Sequence, residues 1–223
     1  MPILNAFDLY YFDKNGHFQQ FNKETRCVIG LFEHHFPRYK NEHFKKINIM
    51  FHSKECAETL EELKSRLGNP LCIDGFGEIE TALNLDKYIK SDSKTKKKLT
   101  LEYLEMGLEP FIEQFHLERE LFINTFNKVS ELNYINEGIW KKTKLNPSKQ
   151  LRAKILWQHD IDSFTAIMII EDKKKNEMMR QELFKEVPSE FIFGYHFGEI
   201  VWFNDKEVAL KDRLGNREWR VTI

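Results

Sequence analysis

Between residues 97 and 132 the chain carries an apolar stripe that commits it to a helical centre. Leu101, Leu104, Leu108, Phe111, Ile112 and Phe115 recur at three- and four-residue steps, followed by Phe122, Phe126 and Val129. That spacing lines one face of an α-helix. Glu102, Glu105, Glu109, Glu113 and Glu120 fall off the stripe and are expected to face water. Pro110 lacks a backbone donor and crowds the turn before it, which predicts a kink or short break. His116-Leu117 is a second candidate break, giving two packed helices in place of one rod. Such a stripe needs a large apolar partner, and a hydrophobic fraction of 41% with 19 phenylalanines can supply it.

The flanking segments read mainly as strands. Residues 3–12 are aromatic and aliphatic, and Asn15-Gly16 between them and residues 17–21 predicts a hairpin. Asn22 is placed to cap a helix running to about His35, with Cys27, Val28, Leu31, Phe32 and His35 on one face; a strand over 27–32 is the competing reading. Ile47, Ile49 and Phe51 alternate with Asn48, Met50 and His52, a strand pattern. Ser53 suits an N-cap for a helix bearing Cys56, Leu60, Leu63 and Leu67, which Gly68 would stop. Gly75-Phe76-Gly77 reads as a bend before a strand with Ile79, Thr81 and Leu83. The lysine-rich stretch 90–98 opposes a helix dipole, so the central helix is expected to start near Thr100.

The last third is expected to be β-rich. Leu151, Ala153, Ile155 and Trp157 alternate with polar residues, and 164–170 is apolar enough for a central strand buried on both faces. Asn176 is read as the cap of a short helix to about Lys185. Residues 191–197, 200–203, 207–210 and 217–223 are read as strands. The fold class predicted is α+β: mainly antiparallel strands in the N- and C-terminal thirds around a central long or kinked helical segment. The chain is expected to form one unit over 1–223. A candidate subdomain boundary at 133–149 would separate an α+β part, 1–132, from a β-rich part, 150–223.

Chemistry-bearing patterns are sparse. Asp160 or Asp162 followed by Glu171-Asp172-Lys173 resembles the acidic and Glu-x-Lys elements of restriction-endonuclease-like nucleases. That resemblance implies catalytic roles for Asp160, Asp162, Glu171 and Lys173, with Mg²⁺ as the only cofactor considered. Solvated turns are the simpler explanation of the same residues. His34, His35, His43 and Cys27 lack the regular ligand spacing of a zinc site, so no metal site is assigned. Nucleophile elbows, phosphate loops and dinucleotide fingerprints are absent. Tyr195, His196, Trp202 and Trp219 form the candidate binding set, as aromatic strands able to leave a sticky face for a partner.

Net charge is -1, which gives no global attraction to nucleic acid or anionic membrane, although lysine clusters at 94–98, 141–144 and 173–175 leave a weak nucleic-acid reading open. Three scattered cysteines suit reduced thiols in the cytoplasm. No window reaches the ~20 apolar residues of a membrane span, and the first residues lack a signal-peptide pattern. These features lean away from catalysis and towards a non-catalytic protein-binding module. In general character the chain is similar to small bacterial immunity proteins, which neutralise a toxin, though no residue motif carries that likeness. The alternatives are a metal-dependent nuclease or hydrolase at the acidic cluster, and a small-ligand or nucleic-acid binding domain.

Overall fold

The apolar stripe folds as two helices, Ser93–Gln114 and Arg119–Glu131, in a computed structural model that describes residues 1–59, 63 and 65–223. Among these residues the chain divides into two compact units, Met1–Ile135 and Asn136–Ile223. In chain order the first contains β1 (Ile3–Leu4), β2 (Ala6–Asp13), β3 (Gly16–His17), α1 (Gln19–His35), β4 (Tyr39–Lys40), β5 (Lys46–His52) and α2 (Lys54–Thr59). It continues with β6 (Leu71–Ile73), β7 (Phe76–Ala82), α3 (Asp86–Ile89), α4 (Ser93–Gln114) and α5 (Arg119–Glu131). The second contains β8 (Asn136–Ile139), β9 (Lys144–Leu145), β10 (Leu151–His159), β11 (Phe164–Asp172) and β12 (Glu177–Glu186). A short helix α6 (Glu190–Phe193) and a 3-10 turn (Gly194–His196) follow, then β13 (Glu199–Trp202), β14 (Glu207–Lys211) and β15 (Glu218–Thr222). The architecture is α+β, with mixed and antiparallel sheets and a central helical segment.

The central helices follow the stripe. Leu101, Leu104, Leu108, Phe111, Ile112, Phe122, Phe126 and Val129 are buried. Pro110 stays inside α4, and the break falls at the second expected point, where His116 adopts φ 51° and the Leu117 N–H reaches back to the Ile112 carbonyl at 3.1 Å. The start differs from expectation. α4 begins at Ser93 because the Asp92 carboxylate accepts the Thr95 N–H at 2.7 Å, a capping bond that satisfies an orphan donor. The lysines of the first turns find acids: Lys96 pairs with Glu24 at 2.8 Å and Lys98 with Glu102 at 3.6 Å.

In the N-terminal unit the strands correct the antiparallel expectation. β2, β5 and β7 are parallel neighbours in a sheet of order β3-β2-β5-β7-β6. The 17-residue α1 separates β2 from β5, long enough for the crossover that parallel strands need. The expected hairpin is cut to two pairs, Phe12↔His17 and Asp13↔Gly16, because Gln19 already begins α1. Asn22 therefore lies inside the helix, where its amide donates to the Leu9 carbonyl at 2.9 Å. Arg26 donates to the Phe7 carbonyl at 3.0 Å and Glu33 accepts the Phe7 N–H at 2.8 Å. One helix thus occupies the open edge of β2 with side chains. Phe7, Leu9, Tyr11, Ile47, Ile49, Phe51 and Ile79 make the buried face of this sheet. Ser53 accepts the Cys56 N–H at 3.3 Å as expected of a cap, and Cys56 and Leu63 are buried; Leu60 lies outside the described residues.

The C-terminal unit is built from two antiparallel sheets, β12-β11-β10-β8 with β9 on β10, and β13-β14-β15. Ala153, Ile155, Ala166, Met168, Ile170 and Phe184 from the first meet Ile200, Val208, Leu210 and Val221 from the second in one core. β11 is the strand expected at its centre. Two local predictions fail. Residues 177–186 are strand β12 and not a helix from Asn176, because Asp172 accepts the Lys174 and Asn176 N–H groups at 2.8 and 2.9 Å and turns the chain back along β11. Within 191–197, residues 191–196 are helical and not a strand, because the Ser189 carbonyl accepts the Ile192 and Phe193 N–H groups at 2.9 and 3.1 Å. The candidate boundary stretch 133–149 contains β8 and β9.

Candidate functional site

Segment 187–197 of the C-terminal unit presents apolar side chains outward from a backbone that is pinned inward. Pro188 follows the end of β12, and one helical turn plus a 3-10 turn place Phe193, His196 and Phe197 on one side. The Phe193 ring stacks on Phe164 at 3.6 Å between centroids and meets His159 at 5.4 Å. Phe197 touches Trp140 and Phe184, at 5.5 and 6.0 Å. His196 is buried between Phe184 and Trp219, at 4.8 and 5.0 Å, with its Nε2 3.3 Å from a Glu186 carboxylate oxygen. The other side of the same turns faces water. Phe191 is 88% exposed and Tyr195 59%, with Ile192 and Val187 beside them in sequence and also exposed.

The turn between β14 and β15 extends this surface. The Arg213 N–H donates to the Tyr195 carbonyl at 2.9 Å. Asp212 accepts the Leu214 and Asn216 N–H groups at 3.1 and 2.9 Å, which holds Leu214 out at 74% exposure. A groove of about 620 Å³ adjoins the turn, lined by Trp140, Lys142, Phe197, Asp212, Arg213 and Leu214 among others. Lys142 lies 5.1 Å above the Trp140 ring and donates to the Gly198 carbonyl at 2.7 Å. The arrangement is an apolar ridge beside a groove with charged walls, on a scaffold held by aromatic contacts.

The four residues named for binding separate into three roles. His196 and Trp219 are brought together as the base of the ridge. Tyr195 stands on its outer side. Trp202 is half-buried elsewhere, its indole N–H donating to the Lys144 carbonyl at 3.1 Å. Phe191 and Leu214, the most outward members, and Ile192 were not in the predicted set. The signal for them was present: Pro188-Ser189-Glu190 carries helix-start residues, and a helical reading would have put Phe191 and Tyr195 on one face.

The acidic set does not converge. Asp160 and Asp162 lie in the turn between β10 and β11, where the Asp160 carboxylate accepts the Ile161 N–H and Asp162 the Ser163 hydroxyl. Glu171 sits at the far end of β11, paired across the sheet with Arg152, while Phe164 pairs with His159 at the near end. Seven residues of strand separate the two ends by roughly 23 Å, whereas a carboxylate lies ~2–2.6 Å from its metal. Glu171 is ion-paired with Lys154, and Lys173 falls in the β11–β12 turn. Among the described residues no group of three or more His, Cys, Asp or Glu side chains is placed to hold a metal ion, and no helix is long and apolar enough to cross a membrane. No known protein family, curated protein or solved structure matches this chain.

Proposed function

We propose that this chain is a non-catalytic protein-binding module whose partner docks on the ridge formed by Val187, Phe191, Ile192, Tyr195 and Leu214. The observation that supports it is the exposure of Phe191 on a turn whose neighbours Phe193 and His196 are locked into aromatic contacts. A large apolar ring held in water by a rigid backbone costs hydration free energy, and it costs little further ordering entropy when a partner covers it. Aromatic anchors ringed by weaker contacts are where protein interfaces concentrate their binding energy. The near-neutral net charge favours neither nucleic acid nor a charged lipid surface as the partner. Cys27, Cys56 and Cys72 are not joined in disulfides, which suits a reducing cytoplasm. Neutralisation of a bacterial toxin is the biological role this reading favours.

The experiment is affinity purification of a tagged copy from its own host, in parallel with Phe191→Asp. A stoichiometric protein retained by the native chain and lost from the variant supports the proposal. No stoichiometric protein, or the same protein retained equally by both, refutes it. Far-UV circular dichroism of the variant checks that its fold is intact.

A further inference from the structure

The carboxyl ends of β2, β5 and β7 meet at a second cavity that is independent of the protein-binding reading. The chain leaves these parallel strands at their carboxyl ends, and the residues that follow gather at that edge of the sheet. Here the three strands deliver Asp13, Ser53 with Lys54, and Leu83 with Asn84, Leu85 and Asp86 to one cleft of about 340 Å³. That volume lies within the range of small-molecule sites.

The lining divides by chemistry. Phe18, Leu83, Leu85 and Ile89 supply apolar surface, with Leu85 buried. Asp13 and Asp86 supply two carboxylates against the single ammonium of Lys54. Asp13 gives one oxygen to the Asn15 N–H at 2.7 Å; among the described residues no side chain bonds the Asp86 carboxylate. Tyr11 reaches the cleft from β2, its hydroxyl 3.5 Å from the Leu83 carbonyl. Burial first, and then the charges of Asp13, Cys56 and Asp86, push the Tyr11 phenol up, so its hydroxyl keeps its proton and remains a donor at neutral pH.

We infer that this cleft is a binding site for a small organic cation: an amine on an apolar body, the ammonium between Asp13 and Asp86 and the body against Phe18, Leu85 and Ile89. An anion of the same shape meets two carboxylates and is rejected. A neutral analogue keeps the apolar contact and loses the ion pairs.

The test uses the whole chain, labelled with ¹⁵N, and three probes of one shape: phenethylamine, 2-phenylethanol and phenylacetate. Saturable amide shifts at Asp13, Asn84 and Asp86 are expected with phenethylamine, with at least tenfold weaker binding of the alcohol and none of the acid. The double variant D13N/D86N is expected to lower amine affinity at least tenfold, with the rest of the spectrum unchanged. Failure of phenethylamine to give saturable shifts at those residues overturns the inference. So does equal binding of the amine and the acid, or unchanged amine affinity in a folded D13N/D86N. Should the double variant unfold, the ranking of the three probes on the native chain decides alone.

Discussion

Gly107 shows how one residue sets the spacing of a layer. It sits in the middle of α4, where glycine costs about 1 kcal/mol of helix propensity relative to alanine. A Cβ at this position would come within 2.5–2.8 Å of the Ile49 side chain on β5. The helix therefore approaches the sheet more closely than an alanine allows, and Ile49 fills the space. Gly107→Ala is expected to destabilise the fold by about 1–3 kcal/mol despite its better helix propensity, as overpacking does. Urea unfolding of the two proteins measures this, and a stabilised variant would show that Ile49 yields freely. At the same scale, the isolated Phe191 and Leu214 side chains are unremarkable as hydrophobic residues; what distinguishes them is exposure on turns tied down by Ser189, Asp212 and Arg213.

At the scale of the element, α1 acts on β2 as a neighbouring strand would. Asn22, Arg26 and Glu33 supply the donors and acceptor that the open edge lacks between Phe7 and Leu9. Glu33 also pairs with Arg26 at 3.0 Å, so it serves two partners. Glu33→Ala is expected to cost about 1–3 kcal/mol by leaving the Phe7 N–H without its acceptor, read from the shift in urea midpoint; a shift within error would mean water replaces the carboxylate. This edge device was invisible in the sequence because it depends on which residues of a helix lie beside a strand. The helical stripe was legible, since burial of one face forces a period that survives without any knowledge of the partner. The strands 46–52 and 151–159 were legible for the same reason at period two. Parallel against antiparallel pairing was not, because it turns on the path of the connections. β12 was misread because its outward residues, among them Arg180 and Glu182, dilute the apolar alternation, and the signal lay in the Asp172–Asn176 turn instead. Of the exposed ridge, Tyr195 was legible as an aromatic in a rich stretch; its outward direction required the helical turn that Ser189 starts.

At the scale of the whole molecule, stability depends on pH through two histidines. Burial holds His35 and His52 below the ordinary histidine range; at His35 the neighbouring His34 and Lys128 add to this, while at His52 the Glu80 carboxylate partly offsets it. Folding therefore favours their neutral forms, whereas the unfolded chain takes up protons near pH ~6.5. Their contribution to stability is complete above that pH and is lost as the pH falls through it towards the lower folded values. The urea midpoint is expected to be lower at pH 5 than at pH 7.5, and His52→Gln is expected to narrow the difference. A midpoint that rises towards pH 5 would contradict this. The central claim, that the molecule acts through the ridge of its C-terminal unit, is tested most directly by calorimetry with the purified partner. Phe191→Ala is expected to weaken binding at least about 30-fold, the ~2 kcal/mol of an anchor residue. Met178→Ala, an exposed residue near the start of β12 and at the opposite end of that strand from Val187, is expected to leave affinity within about twofold. Equal affinities for the native chain and Phe191→Ala would contradict the account.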